Sequence, residues 1–378
     1  VTKRSKRYAL PAGVADLTAL MRWIKRKPSN PKKLKVILGD GFDPTLEIGN
    51  PKTILDREDA VDPQTLSPED HAVIWHFYEY ARMKTYNQCP DRTLFYVLRL
   101  AEEDIVSTVV TPNYDCYWPS IKNRKASRVK LAINPLEHPP VSDKYYEKRE
   151  TSKCLKIFTM HGRLDFVRFN SCRHRFALPL FLLRPTIDPP PPEFKVPLWH
   201  CWLDHEKTMC DSTGIYRHDI DWLNNDFREP YKPEIETATS DISDLTTTAG
   251  ILVLGFVGYC SPDKNNTRRQ EELVSVLEHL AKNTNIPIWV INTSNQYDSM
   301  EEKGIGNCLP GKIKGLPNVH VVPIKEPIRT WLGDTLNTNA SSIGISTTLD
   351  QDFKKKWEES SKFMPRIAWP TLNARRRR

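Results

Sequence analysis

Six short apolar runs, each ending on or just before glycine or a polar residue, constrain this chain more than any other feature. They lie at 35–39, 105–110, 155–159, 250–255, 287–292 and 319–324. Runs that are nearly all apolar, rather than alternating, suit strands buried on both faces, and such strands form parallel sheets covered by helices. Helical spacing accompanies them. At 13–26, Val14, Leu17, Leu20, Met21 and Ile24 share a face ahead of Pro28. Helices are also expected at 68–84 (Val73, Ile74 and Phe77 inward), 91–102 (Leu94, Phe95, Val97, Leu98), 268–283 (Leu273, Val274, Val276, Leu277, Leu280) and 353–363. The expected fold class is α/β, a Rossmann-like parallel sheet with helices on both faces.

From about 165 to 246 the periodicity is lost, with a proline run at Pro189–Pro192 and scattered tryptophans and histidines. This segment reads as an inserted irregular module or a set of covering loops. The expected organisation is a basic helix and arm at 1–32, a Rossmann-like domain from 33–165 and 245–335, the module or lid at 166–244, and a C-terminal helix and basic tail at 336–378. A chain of 378 residues that is 39% hydrophobic can bury a substantial core. No apolar run reaches the roughly 20 residues of a membrane span, and the first residues carry no signal-like apolar stretch, so an intracellular, cytoplasmic protein without membrane contact is expected. The eight cysteines show no CxxC pair, as befits free thiols in a reducing setting.

The formal charge of +8 is concentrated at the ends. Residues 1–35 carry eleven Lys or Arg against the single acid Asp16, and the sequence closes on Arg375–Arg378. Either these ends contact nucleic acid or a ribonucleoprotein, or they are solvated tails. No base-reading motif accompanies them.

In parallel sheets, ligands bind at the carboxyl ends of the strands. The first strand runs into Gly39-Asp40-Gly41-Phe42-Asp43, where two glycines allow a sharp turn and close backbone approach to a phosphate. The second ends in Thr111-Pro112-Asn113-Tyr114-Asp115, an amide and a carboxylate two apart. That pair suits a water, a carboxamide or a ribose hydroxyl, or else an Asx turn. The third ends in Met160-His161-Gly162, with the histidine placed for proton transfer. The fourth continues as Gly255-Phe256-Val257-Gly258, with Asp263 beyond, and the fifth ends in Asn292-Thr293. Small and polar residues there leave room for a nucleotide.

In this order and spacing the motifs resemble the sirtuin superfamily, and more closely its sirtuin-like NAD-consuming branch than the protein deacylases. The resemblance covers roughly 33–165 and 245–325. It implies that Asn113 in VVTPNYD serves cleavage of the nicotinamide–ribose bond, that His161 supplies the general base, and that Asp115 stabilises the cationic sugar. It further implies NAD, as substrate, held by Gly39, Asp40, Gly41, Phe42, Asp43, Thr111, Gly255, Phe256, Val257, Asp263, Asn292 and Thr293. The first glycine loop is also close to the Gly-Asn-Gly-Phe-Asp opening of a related abortive-infection family. No Asp-Phe-Arg stands directly after the first glycine loop and no Phe-Gly-Glu precedes the fourth strand, as they do in the deacylases, which argues against peptide deacylation.

The function implied is NAD hydrolysis to nicotinamide and ADP-ribose. A catalytically inactive sirtuin-like protein bound to nucleic acid through its basic termini is the alternative, and a deacylase the third. Deacylases carry a zinc ribbon after the His-Gly strand. Here Cys172, His174, Cys201 and Cys210 offer zinc-ligand chemistry, but their spacing fits no standard ribbon, and a chance gathering explains them as well. Self-association is left open by the sequence.

Overall fold

The computed structural model describes residues 16–26, 29–39, 54–56, 66–113, 115–134, 154–160, 162–169, 175–177, 198–200, 204–205, 208–209, 213–220, 228–258, 268–296, 298, 308–343 and 349–361. The first helix, α1 (Leu17–Lys25), starts where the Asp16 carboxylate accepts the Thr18 N–H at 2.8 Å. It buries Leu17, Leu20, Met21 and Ile24, as its spacing predicts. Strand β1 (Lys33–Leu38) follows, buried along its whole length.

Next come α2 (Pro68–Asn87), α3 (Arg92–Glu102), β2 (Val106–Thr111), α4 (Tyr117–Asn123), β3 (Lys130–Ile133) and β4 (Cys154–Thr159). A run of antiparallel strands comes after them: β5 (Gly162–Phe169), β6 (Arg175–Ala177), β7 (Leu198–His200), β8 (Asp204–His205), β9 (Thr208–Met209) and β10 (Thr213–Ile220). The chain then returns to alternating elements with α5 (Arg228–Ser243), β11 (Thr248–Leu254), α6 (Arg268–Asn283), β12 (Ile288–Thr293), α7 (Leu309–Ile313) and β13 (Val319–Ile324). Helices α8 (Ile328–Thr338), α9 (Ala340–Ile343) and α10 (Leu349–Ser361) complete the described elements.

Seven strands form one sheet in the order β13-β12-β11-β1-β2-β4-β3, and each neighbouring pair is parallel. Helices cover both faces, so the fold is Rossmann-like α/β. One face packs against α1, α3 and the C-terminal helices around Leu20, Val36, Leu98, Val109 and Leu252. The other packs against α5 and α6 around Ile37, Val110, Phe158, Ile242, Val253 and Leu277. Each such side chain contributes about 1.5–3 kcal/mol on burial. Gly250 lets α1 sit close to the sheet, because a Cβ there would meet Leu20 at 2.7 Å and Trp289 at 3.1 Å.

Two expectations need correction. Val73, expected in the core, is 50% exposed, whereas Ile74 is buried as expected and α2 turns Tyr78 and Ala81 inward with it. The helix has apolar residues on most of its circumference, so spacing alone does not select a face. The segment read as irregular from 165 to 246 contains ordered elements. Strands β6-β5-β10-β7 make an antiparallel sheet, with β8 and β9 paired beside it. Helix α5 packs on the parallel sheet through Ile235, Ala238 and Ile242. Pro230, Pro233 and four Ser or Thr residues hide that helix in the sequence.

A buried ionic cluster fastens α5 in place. Lys35, Thr108 and Lys156 stand in register on β1, β2 and β4. The Asp241 carboxylate accepts from all three, at 2.7, 2.6 and 2.7 Å. Burial pushes the Lys35 ammonium below its ordinary range, opposed by Asp241. Burial also opposes ionisation of Asp241, yet Lys35, Lys156 and the hydrogen bonds together hold its carboxyl below the ordinary range.

Candidate functional site

β2 lies to one side of β1 and β11 to the other, so the topological switch point is at the carboxyl ends of β1 and β11. Here the two strands stay tightly paired. The Gly39 N–H donates to the Leu254 carbonyl at 2.9 Å. A Cβ on Gly39 would stand 2.2 Å from the Gly255 carbonyl oxygen and 2.4 Å from Phe256 Cα. The glycine at 39 therefore answers a chain-to-chain close approach, a cause that the phosphate reading of the turn did not consider.

Asn113 comes to the same place from β2. Its backbone N–H donates to Thr111 Oγ1 at 3.1 Å, and its side-chain Nδ2 donates to the Gly39 carbonyl at 3.3 Å. Thr111, 2% exposed, thus shapes the turn that presents Asn113. Its carbonyl also accepts the Met160 N–H at 2.8 Å, tying the end of β2 to the end of β4. Asp115 is buried, and its Oδ1 accepts the Tyr117 N–H at 2.9 Å, an Asx turn that leads into α4. The Asx-turn reading of this carboxylate is therefore realised at one oxygen.

Gly255 and Gly258 have φ of 66° and 60°, the left-handed conformation that favours glycine. They carry the chain from β11 towards α7, where the Leu309 N–H donates to the Val257 carbonyl at 3.0 Å. Phe256, expected at a sugar, is 2% exposed and belongs to the apolar cluster beneath the sheet. Asn292 is fully buried, with its Nδ2 3.5 Å from the Phe256 carbonyl and its Oδ1 without a hydrogen-bond partner.

Gln296 was missed by the sequence reading. Its Oε1 accepts the Thr293 N–H at 3.0 Å and its Nε2 donates to the Gly255 carbonyl at 3.3 Å, joining the ends of β12 and β11. The Thr-x-x-Gln spacing from Thr293 is a capping-box signature and would have revealed it.

The structure thus brings Gly39, Thr111, Asn113, Gly255, Val257, Asn292 and Thr293 to one end of the sheet. Asp40, Gly41, Phe42, Asp43, His161 and Asp263 lie outside the described residues, although Met160 and Gly162, on either side of His161, lie within them. Cys172, His174, Cys201 and Cys210 also lie outside, and no group of three metal-ligating side chains occurs among the described residues.

The described cysteines Cys89, Cys116, Cys154 and Cys308 are free. Burial pushes the Cys89 thiol up to about 11 and Cys116 well above its ordinary range, so both are held protonated. No helix among the described residues is long and apolar enough to cross a membrane. Among the described residues, four of the N-terminal basic side chains are engaged internally. Lys25 pairs with Glu103, Lys33 with Asp104 at 2.7 Å and Lys35 with Asp241, while Arg22 donates to Asn339.

No protein-family model and no curated protein matches the sequence. Solved structures do. The chain is similar to a Sir2 homolog–NAD complex at 16% identity and a TM-score of 0.50, covering 90% of this chain and 99% of that one. A Sir2 homologue mutant–ADP-ribose complex matches at 15% identity and 0.49, covering 88% and 99%. Sir2Tm bound to a propionylated peptide matches at 11% and 0.47, covering 85% and 99%. With a parallel seven-stranded sheet and this likeness to the NAD complex, the chain has the Sir2 fold.

Proposed function

We propose that this protein binds NAD at the switch point of its sheet and hydrolyses the nicotinamide–ribose bond. The observation that carries the reading is the hydrogen bond from Asn113 Nδ2 to the Gly39 carbonyl, which holds the amide where the ends of β1 and β2 meet. The orphaned Oδ1 of Asn292 supports it. A buried acceptor without a donor costs about 1–3 kcal/mol, and a ribose hydroxyl would satisfy it. The Sir2 homolog–NAD complex, similar over nearly its whole length, supports the choice of dinucleotide.

Cleavage of the glycosidic bond develops positive charge at the anomeric carbon. In this reading Asn113 orients the attacking water or the departing carboxamide, and His161 draws a proton through the ribose hydroxyls. The Asp115 carboxylate favours the cationic sugar electrostatically. Water supplies the new C–O bond, nicotinamide leaves with the glycosidic electron pair, and ADP-ribose remains.

The test is incubation of the full chain with NAD and detection of nicotinamide and ADP-ribose. Asn113→Ala and His161→Ala should each lower turnover by about a hundredfold or more. Unchanged turnover in either variant removes that residue's role. A melting point raised by NAD without its consumption makes the protein a nucleotide binder, and O-acyl-ADP-ribose formed with an acylated peptide makes it a deacylase. Salt-sensitive nucleic-acid binding with neither activity selects the alternative built on the basic termini.

A further inference from the structure

We infer that a buried polar row on α2, Glu79, Arg82 and Thr85, is the positioning element of this site, fixing the turn that carries Asn113 against the start of β5. The inference rests on the NAD reading above and assigns these residues no contact with substrate. Thr85 is fully buried. Its hydroxyl donates to the Ala81 carbonyl at 2.8 Å and accepts the Cys116 N–H at 3.0 Å. A threonine bonded back to its own helix is slightly unfavourable there. The accepted bond gives it a purpose, because Cys116 directly follows Asp115 and lies three residues from Asn113.

Arg82, one turn before Thr85, is also fully buried. It donates to both Glu79 oxygens, at 2.9 and 2.7 Å, while its Nη1 has no partner. A buried ion pair with an unsatisfied nitrogen is a poor choice for stability alone, since apolar residues of similar volume do as well or better. Beside it, Leu164 of β5 shares a buried apolar cluster with Tyr78 and Ala81 of α2 and with Cys116 of the turn, and the Asp165 charge favours the Arg82 guanidinium. Asp165 is held in turn by Arg163, at 2.9 and 2.6 Å, and β5 begins at Gly162 with φ of 89°. One helix thus engages the segment after Asn113 and the strand after His161.

The end of α2 is also bonded to α4. Tyr86 accepts from Ser120 Oγ at its carbonyl and from Asn123 Nδ2 at its hydroxyl, 2.5 and 3.0 Å away. The turn between β2 and α4 is therefore fixed on its far side by α2, and not only by the sheet.

The experiment compares wild type, Thr85→Val and Thr85→Ser in NAD turnover, in thermal shift with ADP-ribose, and in amide hydrogen exchange at 113–116. Thr85→Val keeps the shape and removes the acceptor. It should raise exchange at the Cys116 amide by about tenfold and lower kcat by about tenfold or more, as a small misplacement does, while ADP-ribose affinity stays within about twofold. Thr85→Ser should restore both the exchange rate and kcat. Thr85→Ala removes the same hydroxyl with no added methyl, and must show the same split should the valine variant not fold. Unchanged exchange and kcat in the valine or alanine variant overturns the inference, and so does a serine variant as impaired as valine. Wild type that consumes no NAD while Thr85→Val still loosens 113–116 refutes the NAD reading together with the catalytic purpose assigned here. The two failures are thereby told apart.

Discussion

An alanine at position 39 tests the switch point most directly. Its Cβ would lie 2.2 Å from the Gly255 carbonyl oxygen and 2.4 Å from Phe256 Cα. Both are backbone atoms, so no side-chain rotation relieves the overlap. Restoring contacts of about 3.5 Å means parting the ends of β1 and β11 by about 1 Å. The 2.9 Å bond from Gly39 to Leu254 would then exceed hydrogen-bond length. A lost buried bond costs about 1–3 kcal/mol and the residual overlap about 1–3 more. We expect Gly39→Ala to lower stability by about 3 kcal/mol, read as a shift of the urea midpoint at constant slope. The same movement displaces the carbonyl that holds the Asn113 amide at 3.3 Å, so NAD turnover should fall in the fraction that remains folded. A loss below about 0.5 kcal/mol would show that the strand ends are not locked together, and the account of Gly39 would be wrong.

Three further outcomes follow from the packing. Asp241→Ala leaves the Lys35 ammonium buried without its counter-charge and should cost about 3–5 kcal/mol in chemical denaturation; the half-exposed Lys156 adds little to that figure. The Asp241 carboxyl is held below its ordinary range in the folded state. Its stabilisation is therefore complete above the unfolded value of about 4 and is lost as pH falls through the folded value, so Asp241→Asn should flatten the acid limb of a stability–pH profile. Trp357, 4% exposed under Arg124 at 4.4 Å, anchors α10 together with Phe353, whose ring lies 3.6 Å from that of Phe95. Trp357→Ala should cost about 3–5 kcal/mol and expose 349–361 to protease; resistance equal to wild type would deny the anchor.

Much of the sheet is legible in the sequence because its strands need no partner to be recognised. Ile251–Leu254 is wholly apolar and Val106–Thr111 mixes valines with small hydroxyl residues, and burial on both faces accounts for such runs. The capping aspartates, the helix at Arg268–Asn283 and the polar strand ends are local signals of the same kind. Elements whose stability comes from far away are not legible. β3 is four residues at the sheet edge, and α5 shows three apolar residues in a polar, proline-bearing stretch. Lys35 reads as a charge at a strand's solvent end, yet Asp241, 206 residues on, draws it into the interior.

The site divides along the same line. Asn113 could be chosen from its motif, but the polar row on α2 could not, because Arg82 and Glu79 at i and i+3 look like any surface ion pair until burial is known. Gly39 shows the deeper reason. A glycine at a strand end says that something comes close to the backbone, and sequence cannot say whether that is a phosphate or the chain itself. Here Gly255 and Phe256 fill the space a side chain would need. The contact that glycine permits also sets the carbonyl on which Asn113 rests. One small residue thereby joins the pairing of β1 with β11 to the placement of the amide proposed to act on NAD. A change at 39 should therefore move stability and turnover together, whereas one at Thr85 should move turnover and leave nucleotide affinity in place.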